Sequence, residues 1–114
     1  HALAQLPHAD DPVMYRSKSA QSLVRGGEID RAIEIMDSLA NIQKPATIFA
    51  RTRVFALAYG QRPDAVFAEK CVAEIERLVK MGFDDAARLK SDPDLKSMQE
   101  FEPFREIVAR IEGK

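Results

Sequence analysis

Apolar residues recur along most of this chain at helical spacing. The most regular stretch, residues 26–39, reads Gly-Gly-Glu-Ile-Asp-Arg-Ala-Ile-Glu-Ile-Met-Asp-Ser-Leu. After two glycines that supply a turn, Ile29, Ala32, Ile33, Met36, Leu39 and Ala40 fall at i, i+3, i+4, i+7, i+10 and i+11, one face of an α-helix. So short a helix needs a neighbour to lie against, and Ala32 in mid-stripe lets another backbone come close. The same spacing predicts a helix before it, over residues 12–25, with Val13, Ala20, Leu23 and Val24 near one face and Asp11-Pro12 as its start.

Asn41-Ile-Gln-Lys-Pro45 breaks the pattern, and a third helix runs from Pro45 to before Gly60. Phe49, Ala50, Val54 and Leu57 form one of its stripes; Ile48, Phe55 and Tyr59 form another. A helix apolar around so much of its girth is expected to be sandwiched between others. Over residues 64–81, Phe67, Ala68, Cys71, Val72, Ile75, Leu78 and Val79 mark a fourth helix, with Glu69, Lys70, Glu74, Glu76, Arg77 and Lys80 on the opposite side. Gly82 is its expected C-cap, and Phe83 is expected to fold back against it. Asp84, Asp92-Pro93 and Glu102-Pro103 each start a short tail helix, the last carrying Phe104, Ile107, Val108 and Ile111. No stretch alternates with β-branched enrichment, so the predicted class is all-α.

With 114 residues, 46% apolar and 31% charged, the chain reads as one soluble globular domain, with a flexible segment at 1–11 and the helical domain at 12–114. Its net charge of −1 gives no general attraction to nucleic acid or to anionic membranes. No apolar run approaches the roughly 20 residues that cross a bilayer. One cysteine forbids an internal disulfide and fits a reducing, cytoplasmic compartment. The chain opens on His1 and is expected to be a piece of a longer protein.

Candidate chemistry is sparse. Asp84, Asp85, Asp92 and Asp94 lack the frame of a calcium loop and are read as helix caps. Cys71 lies on an apolar stripe, as an inert buried thiol would. The two histidines, His1 and His8, sit in the N-terminal segment, and no phosphate-cradling glycine loop is present. No enzymatic activity, cofactor or metal is expected.

Two helix pairs, at residues 12–40 and 45–81, suggest a helix-turn-helix repeat of about 34 residues. Gly27-Glu-Ile-Asp-Arg-Ala32-Ile33 resembles the turn and second-helix start of a tetratricopeptide repeat (TPR), with Ser19 and Ala20 at close-packing positions and Arg16 where a tryptophan is usual. Phe67-Ala-Glu-Lys-Cys-Val72, Val79-Lys-Met-Gly-Phe-Asp84, Leu89-Lys-Ser-Asp-Pro-Asp-Leu95 and Phe101-Glu-Pro-Phe104 are similar to the closing block of bacterial TPR arrays. A like block ends some bacterial serine/threonine kinases. The resemblance covers residues 13–111 and implies stacked antiparallel hairpins, an α-solenoid fragment of about two repeats, sealed by a capping tail at 84–112.

It also implies a job: a non-catalytic protein-interaction module displaying a groove to a protein or peptide. The alternatives are a kinase's regulatory C-terminal domain and a self-associating structural domain. In the first reading the N-terminal end would pair with further repeats or with a second copy. By the motif match the groove would show Met14, Ser17, Gln21 and Arg25 from the first helix, with Thr47, Arg51 and Val54 from the third. A clamp for a terminal carboxylate would need Lys and Asn where Ser17 and Gln21 stand. Arg51 and Arg53 are read either as solvating their helix and pairing with glutamates such as Glu28 and Glu34, or as meeting an acidic partner.

Overall fold

A computed structural model describes residues 12–113. The expected flexible segment 1–11, with Asp11 as a cap and both histidines, lies outside the described residues. Within them the chain is helical throughout: α1 (Pro12–Arg25), α2 (Ile29–Ser38), α3 (Pro45–Gln61), α4 (Ala65–Lys80), α5 (Ala86–Ser91), a 3-10 helix (Pro93–Met98) and α6 (Glu102–Glu112). No strand occurs among the described residues.

Helix α3 organises the packing, touching α1, α2, α4 and the 3-10 helix. Ten of its 17 residues are buried, so its two apolar stripes face different neighbours as expected. Helices α1 and α2 pair with each other, as do α3 and α4. Ala20 of α1 and Ala32 of α2 are fully buried. On α2 the buried positions are Ala32 and Met36, joined by Leu39 at the C-cap, whereas Ala40 is exposed because the helix stops at Ser38 and the chain turns away.

The same glycine turn occurs at two places that are not equivalent: after α4, where it ends the second pair, and after α1, where it joins the two helices of the first. After α4, Gly82 takes φ +103°, its N–H donates to the Val79 carbonyl, and the Phe83 N–H donates to the Leu78 carbonyl, each at 3.0 Å. This is a Schellman turn, in which a left-handed glycine satisfies helix-end carbonyls. Phe83 folds back and meets the Phe49 ring edge-on at 5.9 Å. After α1, Gly27 (φ +89°) repeats the turn, with Gly27 N–H on Val24 and Glu28 N–H on Leu23.

In the tail the 3-10 helix lies along α3, while α6 packs on α4 and α5. Leu89, Leu95, Met98, Phe104 and Ile107 are buried, and Ser97 Oγ donates to the Ala56 carbonyl of α3 at 2.6 Å. Aspartate caps start α4, α5 and the 3-10 helix, though not all at the expected residues. Asp64 accepts from Val66 N–H, Asp85 from Arg88 N–H and Asp92 from Asp94 N–H. Asp85 thus takes the role assigned to Asp84, one residue nearer the helix. Asp94 caps nothing, and its carboxylate accepts from Arg25 at 2.6 Å.

Candidate functional site

Between the N-terminal halves of α1 and α3 lies a cleft of about 330 Å³. Val13, Met14, Ser17, Lys18 and Gln21 line it from α1; Ala46, Thr47, Ala50 and Arg53 line it from α3, with Lys44 at the α3 N-cap. Spacings of three, four and seven residues bring each set to one helix face. Small side chains at positions 17, 46, 47 and 50 keep the two helices from filling the space between them.

Four of the seven residues expected in a groove therefore meet here: Met14, Ser17, Gln21 and Thr47. Ser17 and Thr47 are each only 5% exposed and form part of its floor. Gln21 Nε2 donates to the Ser17 carbonyl at 3.3 Å, which holds the amide along α1.

The other three lie elsewhere. Arg25 sits at the far end of α1 and pairs with Asp94. Val54 is fully buried in the core. Arg51 is 1% exposed and turns away from the cleft toward α2 and α4. Its Nε donates to Glu74 Oε1 at 2.8 Å, and Nη1 donates to the carbonyls of Leu39 and Ile42 at 2.6 and 3.0 Å. A guanidinium here adds a donor to the Leu39 carbonyl at the end of α2, which also accepts from Ile42 N–H, and to the Ile42 carbonyl in the following loop, and it meets the negative end of the α2 dipole. Its carboxylate partner is Glu74, not Glu28 or Glu34; Glu28 lies 3.8 Å from Arg31 instead.

Sequence reasoning missed Lys18 and Lys44 as lining residues; of the two arginines it offered to an acidic partner, Arg53 lines the cleft and Arg51 does not. Lys18 follows Ser17 and precedes Gln21 by three, so the helical period carries a signal for it. Arg53 donates to Asp92 Oδ2 at 3.0 Å and its guanidinium lies 4.7 Å from the centre of the Phe49 ring, whose π face favours a cation. Arg88 approaches the same ring at 4.1 Å. Lys18 and Lys44 have no carboxylate partner among the described residues.

Cys71, the chain's one cysteine, is buried on α4 and does not line the cleft. Burial pushes the Cys71 thiol far up from its ordinary range, with the Glu74 charge adding to the effect, so it stays protonated. No group of three or more metal-ligating side chains occurs among the described residues. None of the described helices is long and apolar enough to cross a membrane. Compared with family models, curated proteins and solved structures, the chain finds no match.

Proposed function

We propose that this chain is a non-catalytic protein-interaction module of the helical-repeat class. More narrowly, it is the closing end of a TPR-like array in which the pairs α1–α2 and α3–α4 are successive stacked hairpins and the tail from α5 onward seals the last. The contacts of α1 with α2 and α3, those of α3 with α4, and the fully buried Ala20 and Ala32 support that reading. Its task is to hold a peptide segment of another protein against α1 and α3.

The observation that carries this is the open cleft, floored by small and apolar side chains on two packed helices. Interaction sites of this kind bury an extended or helical segment by anchoring its apolar side chains. Ala46 lines the cleft yet is exposed, so Ala46→Trp fills it without entering the core. Selection from a displayed peptide library is expected to yield sequences that bind the natural chain and lose binding to Ala46→Trp. If no peptide is selected, or if the selected ones bind Ala46→Trp equally well, the cleft is not the site.

A further inference from the structure

Resting on that reading, we infer that the occupant of the α1–α3 cleft is an acidic segment of a partner protein, an apolar side chain flanked by carboxylates. The charge around the cleft is one-sided. Lys18, Lys44 and Arg53 line it and no carboxylate does, although the whole chain carries 17 basic and 18 acidic residues. Elsewhere basic side chains are mostly matched: Arg25 with Asp94, Arg51 with Glu74, Arg62 with Asp30, Lys90 with Glu112 and Arg110 with Glu76. Lys18 and Lys44 are left without a carboxylate among the described residues, and they flank the apolar lining side chains of Val13, Ala46 and Ala50.

Cations beside an apolar lining suit one kind of chain. The apolar residue of the segment supplies affinity by burial, and its carboxylates complement the rim, raising the association rate and rejecting basic competitors. Arg53 is held by Asp92, so the two lysines carry most of this selectivity. A polynucleotide is also an anion, but no aromatic ring lines the cleft to stack a base. The occupant is therefore a peptide. Solvated lysines are screened by salt, so the preference weakens as ionic strength rises.

The test uses the full chain and short labelled peptides blocked at both ends, each with one leucine flanked by glutamates, glutamines or lysines, read by fluorescence polarisation. The glutamate series is expected to bind about tenfold more tightly than the glutamine series, with the lysine series weakest. Lys18→Glu combined with Lys44→Glu is expected to reverse that order, and Ala46→Trp to remove binding of all three. Equal binding of the glutamate and glutamine series, both lost in Ala46→Trp, overturns the acidic occupant while leaving the cleft as the site. Glutamate-series binding that survives Ala46→Trp places the contact elsewhere and overturns both readings. No binding of the glutamate series, or tighter binding of a labelled single-stranded RNA that the lysine reversal abolishes, overturns the acidic peptide.

Discussion

Arg51 and Arg53 stand two residues apart on α3 and do opposite things. Adjacent-but-one positions on a helix face nearly opposite ways, and α3 is packed on both sides. Arg51 turns inward, 1% exposed, and its hydrogen bonds join the end of α2 to α4 through Glu74. Arg53 keeps 28% of its side chain exposed, lines the cleft and leans on Asp92 and the Phe49 ring. One guanidinium is an internal tie; the other belongs to a surface. On a two-sided helix the face a charge leaves from decides its role, more than the charge itself.

The largest change in stability is expected at the inner arginine. Arg51→Met removes the buried partner of Glu74, leaving that carboxylate only the more distant Arg77, and strips the guanidinium from the Leu39 and Ile42 carbonyls, so the chain is expected to lose about 3 kcal/mol or more, read from urea unfolding. Adding Glu74→Leu is expected to recover part of that loss, because an apolar pair of similar bulk carries no stranded charge. If Arg51→Met unfolds at the natural midpoint, the tie contributes nothing.

Helix extents, the glycine turns and the sandwiching of α3 were legible because each follows from a local rule: a 3.6-residue period, a left-handed glycine, two apolar stripes. The burial of Arg51 was not, since a charged residue reads as solvated until a partner is known, and Glu74 was counted with the polar side of α4. A signal existed nonetheless. Arg51 falls three after Ile48 and four before Phe55, in phase with a buried stripe. Likewise Ser17 is four from Val13 and three from Ala20, which placed it on the floor of the cleft and not at its rim. The pairing of Arg53 with Asp92 spans 39 positions and follows from no local rule.

A smaller effect tests the packing that separates the two faces. Ala32 is fully buried on α2, which pairs with α1. Ala32→Leu is expected to overpack this seam and destabilise by about 1–3 kcal/mol. An unchanged thermal midpoint would mean that α1 and α2 do not approach at that position.

Cys71 reports on the inner face without altering it. Its thiol is raised by burial above an ordinary value of 9.0, so the folded chain keeps the proton where the unfolded chain loses it. The stability this contributes is present below pH 9 and declines above it, because the unfolded state then binds fewer protons. Thiol labelling at neutral pH is expected to proceed only as fast as the chain opens, and Cys71→Ser should abolish it. Rapid labelling under native conditions would show that the α4 stripe opens independently of the rest.

The smallest change in stability should come from the cations on the open side, and there a near-zero result carries the argument. Lys18 and Lys44 are exposed and have no carboxylate partner among the described residues, so neither ties one element to another. Lys18→Ala and Lys44→Ala, singly or together, are expected to leave unfolding within about 0.5 kcal/mol of the natural chain, as surface substitutions away from caps and buried pairs do. Set beside the loss expected for Arg51→Met, this separates charges that hold the fold from charges that the fold merely presents. A loss near 2 kcal/mol on removing either lysine would erase the distinction, since the cleft rim would then be part of the scaffold and its cations would be occupied in holding it.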